Sequence, residues 1–419
     1  MRTAFKFTLL VGLAAALAAC NASSSRTSSA PATQHVTSQT GTSSPLDPPS
    51  VLNPEEPSAN PTAQKGEKKD KIVRILLTEN QTEAYVKHSG RVNIYTEGGD
   101  KKYKVSLGGT LAVKGLPGGK IQVGTLRAAQ PIIVQPVKST LEWNNNTYTG
   151  SFYILPTGTN QFSIIEYVAL EEYLHGVLPY EMSPSWPVDA LKAQAVAART
   201  YTLKTLGNIK NKPFDLYSDV RSQVYRGTGK RYDNVIRAVD ETKGEVLTYQ
   251  DKLFYTYYHA NCGGSTDDVS SWHFSTKSIK PLSGASCKFD SHSKSYSWSM
   301  TVPANKVEKY AQTVGLKGTL KNIKIVRKTG TGRATNLTIT TTKGSKTVPC
   351  GQFRLATGIR SCKITRLNVT TKGVQFSGKG YGHGIGMCQD GAYGMAKQNH
   401  NYKQILKHYY PGSSLEQMK

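Results

Sequence analysis

Leu170-Glu171-Glu172-Tyr173-Leu174-His175-Gly176-Val177-Leu178-Pro179-Tyr180-Glu181-Met182-Ser183-Pro184-Ser185-Trp186-Pro187 is the stretch on which the reading of the fold turns. Leu170, Tyr173, Leu174 and Val177 recur at i, i+3, i+4 and i+7, the spacing of one buried helical face. The pattern predicts a helix from Leu170 to Gly176, ended by Gly176 and Pro179. Pro187, a favoured first helical residue, opens a second helix. Val188, Leu191, Ala195, Ala198 and Thr202 give that helix one apolar stripe, and Lys192 and Arg199 share a neighbouring face. Between the two helices a short connection holds a lone carboxylate, Glu181.

Glu181 has Tyr180 and Met182 as neighbours and no Lys or Arg in the loop to stabilise its anion. Such company raises a carboxyl pKa. A carboxylic acid kept protonated near neutral pH is what protonation of a glycosidic oxygen requires. The bland alternative is a solvent-facing loop Glu.

Outward from this stretch, composition sets limits. The 419 residues are 37% hydrophobic, enough for a core, and 53 Lys and Arg against 28 Asp and Glu leave a formal charge of +25. Wholesale disorder and a polytopic membrane protein are excluded, and the basic excess suits polyanionic surroundings. Arg2 and Lys6 precede an apolar run from Phe7 to Ala19, too short for a bilayer span but right for a signal-peptide core. It ends in Leu17-Ala18-Ala19-Cys20, a small-residue cleavage site with Cys directly behind it, the pattern of a bacterial lipobox in which Cys20 is lipidated. The alternative is an ordinary signal peptide cut nearby. Asn21 at the next position favours an outer over an inner membrane. Residues 21–70 are rich in Ser, Thr, Pro, Ala and Gln and cannot bury enough apolar area to offset ordering, which predicts a tether spanning about 40 Å. Export argues against a nucleic-acid partner.

Residues 71–155 contain short strand-like runs punctuated by Gly, Asn and Pro, the mark of a β-rich N-terminal domain. Residues 156–419 mix clear helices with short strands. The fold class is therefore α+β. Within the second part, Gly378, Gly380, Gly382, Gly384 and Gly386 alternate with Lys379, Tyr381, His383, Ile385 and Met387. Read as a strand, this puts a bare glycine face on one side, open to a ligand or to another backbone. It is not a dinucleotide fingerprint, because no register gives G-x-G-x-x-G. Ser291-x-x-Lys294 and Lys328-Thr329-Gly330 echo penicillin-binding motifs, but they lack the intervening S-D-N and are read as accidents.

Taken together, Glu166 to Met182, Trp186-Pro187, Ala190 to Tyr201, the glycine run with Cys388-Gln389-Asp390-Gly391-Ala392, and Tyr402 to Gly412 resemble the stage II sporulation protein D (SpoIID) family and related amidase enhancers of the LytB type. Gln223-Val224-Tyr225 and His259-Ala260-Asn261-Cys262-Gly263-Gly264 fit as well. The resemblance runs from about Ile72 to the C-terminus. It implies a SpoIID-type catalytic domain with the activity of a peptidoglycan lytic transglycosylase, in which one acid protonates the oxygen after N-acetylmuramic acid. The same group then helps that sugar's 6-hydroxyl close a 1,6-anhydro ring. Glu181 matches the catalytic Glu. Lys192, Arg199, Gln223, Tyr225, Tyr381, His383 and Gln389 match positions near the cleft and are expected to orient Glu181, hold sugar or stabilise charge. No cofactor is required. Expected partners are glycan strands, with or without stem peptides, a wall amidase, and a membrane reached through the lipid. The alternatives are a non-catalytic glycan-binding activator of an N-acetylmuramoyl-L-alanine amidase, and a purely structural tether to the wall.

With Cys20 lipidated, five cysteines remain, an odd number in an oxidising compartment. Cys350 and Cys362 flank a short helical run and could form a local disulfide. Some relatives bind zinc through His and Cys in the region of His259 to His273. Here His259, Cys262, His273, Cys287 and His292 could supply ligands to a structural zinc, with His259, Cys262 and Cys287 as the named set and a Cys262–Cys287 disulfide as the competing reading.

Overall fold

A computed structural model describes residues 71–99, 102–206, 212–271 and 277–418. The expected signal peptide with Cys20, the expected tether over residues 21–70, and His273 lie outside these described residues. The architecture is mixed α+β, with helices α1 (Leu170–Glu181), α2 (Val188–Leu206), α3 (Asp233–Asp240), α4 (Ala304–Thr313), α5 (Cys350–Thr357), α6 (Gln389–Lys397) and α7 (Tyr402–Tyr409).

The strand Ile72–Gln81 buries Val73, Ile75 and Leu76 and pairs antiparallel with Gln161–Ala169, the strand that runs straight into α1. Both belong to a seven-stranded sheet whose order is Leu216–Tyr217, Ile72–Gln81, Gln161–Ala169, Ser151–Gly158, Ile132–Pro136, Val92–Thr96 and Lys102–Val105. A boundary between Leu155 and Pro156 therefore falls inside the strand Ser151–Gly158. One apolar cluster continues from Val73 through Leu191 to Tyr410, so the early strands and the helices share a core. Alternating strands show up in local sequence, but the pairing of residue 72 with residue 169 is a long-range contact that local patterns do not encode.

Helix α1 passes through both expected stop signals. Pro179 falls in its last turn, where a missing N–H removes one hydrogen bond at most, and burial of Tyr173, Leu174, Val177 and Leu178 outweighs that loss. Gly176 is required for a different reason than helix ending. A Cβ there would lie 2.4 Å from Tyr225 Cε2 and 2.5 Å from the Gly227 carbonyl oxygen. The Met182 N–H closes the end on the Leu178 carbonyl at 2.9 Å. Glu181 is thus the last helical residue and not a loop residue.

Helix α2 is buried almost all round, not along a single stripe: Ala190, Leu191, Ala193, Ala195, Val196, Ala197 and Ala198 have no exposed surface. Its short side chains let α1, α3, α6 and α7 approach it closely. Arg199, also on α2, is completely buried. Its guanidinium donates to Glu171 Oε1 at 2.9 Å and Oε2 at 2.7 Å, and to the carbonyls of Val239 and Glu245.

A second apolar cluster, from Trp298 to Phe376, forms the core of a lobe built on the strands Ser297–Pro303, Ile364–Thr370 and Gly373–Lys379, a three-stranded sheet Leu320–Lys328/Ala334–Thr341/Gly344–Pro349, and α4 and α5. Cys350 and Cys362 are joined there by a disulfide, their Cα atoms 6.1 Å apart.

Two stability predictions follow from the buried charges. Arg199→Met strands the Glu171 carboxylate without its cation, and urea denaturation should show a loss of about 3–5 kcal/mol. Glu166, fully buried on the strand before α1, accepts from the Gly150 N–H at 3.0 Å. Burial raises its pKa from 4.5 to about 7, against the opposing pull of the Tyr225 hydroxyl and that N–H. The folded state therefore holds this proton more tightly than the unfolded chain. Stability should be greatest below the unfolded pKa and fall as pH rises through about 7, by roughly 3 kcal/mol in all. Unfolding titrations of Glu166→Gln at several pH values should lack this slope.

Candidate active site

Glu181 is half-buried at the C-terminal end of α1, the negative end of the helix dipole, where an anion is disfavoured. Its Oε1 accepts from the Val224 backbone N–H at 3.1 Å and its Oε2 from Gln389 Nε2 at 3.4 Å. Burial raises its pKa above the ordinary value, and these two hydrogen bonds, which favour the anion, only partly oppose it. Burial, not a neighbouring carboxylate, is what favours the protonated form.

The donors around Glu181 are held by their own partners. Gln389, first residue of α6, also lies 3.4 Å from Gln194 Oε1 on α2. Gln223, next to Val224, is buried; its Oε1 accepts from Tyr173 and Thr202 at 3.2 and 2.8 Å, and its Nε2 donates to Tyr258 at 2.9 Å. Tyr225 packs on Tyr173 with ring centroids 5.0 Å apart. Of the residues expected near the acid, Gln389 touches it directly, and Gln223 and Tyr225 frame the Val224 amide that does.

Lys192 and Arg199 are placed elsewhere. Lys192 pairs with Glu241 and sits 5.5 Å from the Tyr402 ring centroid, and Arg199 is committed to Glu171. Neither forms a hydrogen bond or ion pair with Glu181, because both sit on faces of α2 that pack against α1, α3 and α7. Orienting Glu181 falls to the Val224 amide and Gln389. A backbone donor such as Val224 N–H has no side-chain signature, so residue types alone did not point to it.

The glycine run is not a continuous strand. Its first two residues, Gly378 and Lys379, close the strand Gly373–Lys379, and beyond them Gly380, Gly382, Gly384 and Gly386 all have positive φ, between 69° and 112°. The run is a looping ribbon that lies against other backbone. A Cβ on Gly386 would sit 1.9 Å from the Tyr257 carbonyl oxygen. The ribbon ends in Met387–Cys388, which pairs in parallel with Tyr258–His259 and delivers Gln389 to Glu181. Tyr381, within the ribbon, is 45% exposed, the condition for stacking on a ligand. His383 is half-buried; its Nδ1 accepts from the Ile385 N–H at 3.0 Å. Burial, together with Arg354 and Arg333, pushes its pKa down to about 3, so it is a neutral imidazole at physiological pH. A small cavity of about 40 Å³, room for roughly one water, is lined by Arg333, Arg354, Gly382 and His383 and does not include Glu181.

The metal-ligand set His259, Cys262 and Cys287 does not come together as expected. His259 is buried, with Nδ1 3.1 Å from the Ile385 carbonyl oxygen and its ring 5.2 Å from that of His383. The groups that do converge on Cys262 and Cys287 are Asp290 and Cys388. The three cysteines are free thiols, so no Cys262–Cys287 disulfide is present.

Residues 158–249, which include α1, Glu181, α2 and Val224, match the family model "Stage II sporulation protein" (SpoIID). The chain is 37% identical over 275 residues to an uncharacterized protein of Brachyspira hyodysenteriae, covering 64% of this chain and 72% of that protein. It is 32% identical over 292 residues to the amidase enhancer of Bacillus subtilis, covering 58% of this chain and 40% of that longer protein. Over 275 residues it is 28% identical to stage II sporulation protein D of Bacillus amyloliquefaciens, covering 60% and 76%. With the Glu181 helix inside the matched segment and these relatives extending the likeness across most of the folded part, the chain belongs to the SpoIID/LytB family.

Proposed function

We propose that this chain is a peptidoglycan lytic transglycosylase that cleaves the glycan after N-acetylmuramic acid, with Glu181 as general acid and then general base. The observation that carries the reading is a lone acid whose pKa is raised by burial at a helix C-terminus, with two donors aimed at its oxygens. Hydrolysing glycosidases pair two carboxylates across the bond. A single carboxyl group suffices when the nucleophile is the 6-hydroxyl of the substrate's own sugar. Glu181 gives its proton to the leaving oxygen, then takes one from that hydroxyl as the anhydro ring closes. In the anionic interval the Val224 N–H and Gln389 Nε2 stabilise the carboxylate. Gln389 acts as a positioning residue.

The reading includes an exported protein, anchored through a lipid on Cys20 and facing the wall, with residues 21–70 as its arm. A second reading rests on the likeness to a protein called an amidase enhancer: the chain binds glycan without cutting it and activates a wall amidase.

Glu181→Gln should keep the fold and lower release of anhydro-ended products from purified, peptide-stripped wall material by roughly 10²–10⁴-fold, measured by mass spectrometry with no amidase present. Undiminished release from this variant would refute the acid's role. Stimulation of an added amidase that survives in Glu181→Gln, with no anhydro product from either protein, would favour the activator reading. The rate should fall as pH rises through the elevated Glu181 pKa, since the acid must start protonated. Gln389→Ala removes a bond that favours the anion, so the alkaline limb of its pH profile should move to higher pH while kcat drops. An unmoved limb would show that Gln389 does not tune the acid.

A further inference from the structure

One residue before Gln389, a set of buried groups converges that the proposed chemistry does not use. Cys262 comes from the loop after the strand Tyr258–His259, Cys287 and Asp290 from the segment after Leu282, and Cys388 from the N-cap of α6. One ligand atom from each lies within 4.8 Å of all the others, and all four residues are buried, Cys262, Cys388 and Asp290 completely.

Burial favours the neutral forms of Cys262, Cys388 and Asp290, and the Cys262 thiol donates to Asp290 Oδ2 at 3.0 Å, but backbone donors also converge on the group. The Cys262 N–H and the Gly391 N–H point at Cys388 Sγ, at 3.2 and 3.3 Å. The N–H groups of Gly263 and Gly264 donate to Asp290 Oδ2 at 2.8 and 3.2 Å. Tyr409 Oη lies 3.1 Å from Cys287 Sγ. The other carboxylate oxygen, Asp290 Oδ1, is buried with no hydrogen-bond partner. Leaving a buried carboxylate oxygen unpartnered is costly unless a cation or a proton compensates it. A disulfide between any two of the three thiols would leave the third thiol and this oxygen as they are. A single cation uses all four groups. Three soft sulfurs and one carboxylate oxygen make up the number of a closed tetrahedral site, and the sulfur majority suits zinc and not magnesium or calcium.

We propose that Cys262, Cys287, Cys388 and Asp290 bind one divalent ion of the zinc class, forming a structural clasp that ties the N-terminus of α6 to the Cys262-Gly263-Gly264 loop. Each cysteine binds as thiolate, its proton passing to solvent. By fixing Cys388, the clasp holds the neighbouring Gln389 in place, whatever reaction Glu181 performs.

Metal analysis of the purified full-length protein, prepared without chelator, should find one zinc per chain. Replacing it with Co²⁺ should give thiolate-to-cobalt charge-transfer bands and the intense visible bands of tetrahedral geometry. In chelator competition Asp290→Asn and Cys388→Ser should each weaken zinc binding by roughly 10–100-fold or more, and thermal denaturation of the metal-stripped protein should shift to lower temperature. Should Cys388→Ser fail to fold, the Asp290→Asn competition and the cobalt spectrum of the unaltered protein still decide. A chain that is metal-free as purified and binds no Zn²⁺ after reduction would overturn the proposal. So would non-reducing peptide mapping that finds two of the three cysteines joined.

Discussion

Helix α2 can be surrounded only because its side chains are small. A helix that touches α1, α3, α6 and α7 at once has no polar face, and the run Ala193, Ala195, Ala197 and Ala198 brings its neighbours close to its backbone. This close packing has an electrostatic corollary. The one cation buried in α2, Arg199, must be neutralised on the spot, and α1 supplies Glu171 for it. The ion pair and the alanines together set where α1 lies, and so where its last residue, Glu181, emerges. A replacement that enlarged α2 would act on the acid without touching it.

Glu181 is then exposed to opposing influences. Burial and the negative end of the α1 dipole favour the neutral acid, while an amide and a carboxamide favour the anion. Under the proposed reaction, in which Glu181 gives and then receives a proton, this balance suits the group. An arginine in place of Gln389 would hold the carboxyl ionised, and an apolar side chain there would leave the anion without support. The neutral, polar Gln389 is intermediate. Its placement depends on the ribbon, whose glycines let two stretches of backbone run closer than side chains would permit.

Much of this was legible in the residues themselves. The spacing of Leu170, Tyr173, Leu174 and Val177 marked α1, and the apolar company of Glu181 marked the acid, because both signals are local. Where the reading failed, the deciding contact was distant. By local rules Pro179 marks a helix stop, but the burial of Leu178 beside it depends on packing from other elements. The glycine alternation suggested period two, whereas positive φ at four glycines made a ribbon, a choice that depends on Tyr257 and Arg333 lying close by. Lys192 and Arg199 share a helix with Gln194, a neighbour of the site, and only the positions of Glu241 and Glu171 show that they face elsewhere. In the same way, His259 fits a metal ligand by residue type, but its partner turned out to be a backbone carbonyl.

The lobe from Ser297 to Lys379 leaves and rejoins the rest of the chain through neighbouring strands, Ser297 lying opposite Lys379, and it has its own apolar interior. Entry and exit so close together give it the form of an insertion, but Arg333 within it donates to Asp267 and to the Cys262 carbonyl and lies against Gly384, so the ribbon keeps its path only where that arginine is kept. Its exit strand leads directly into the ribbon. Divergence in this lobe thus reaches the ribbon, and through it Gln389, without any change at Glu181 itself.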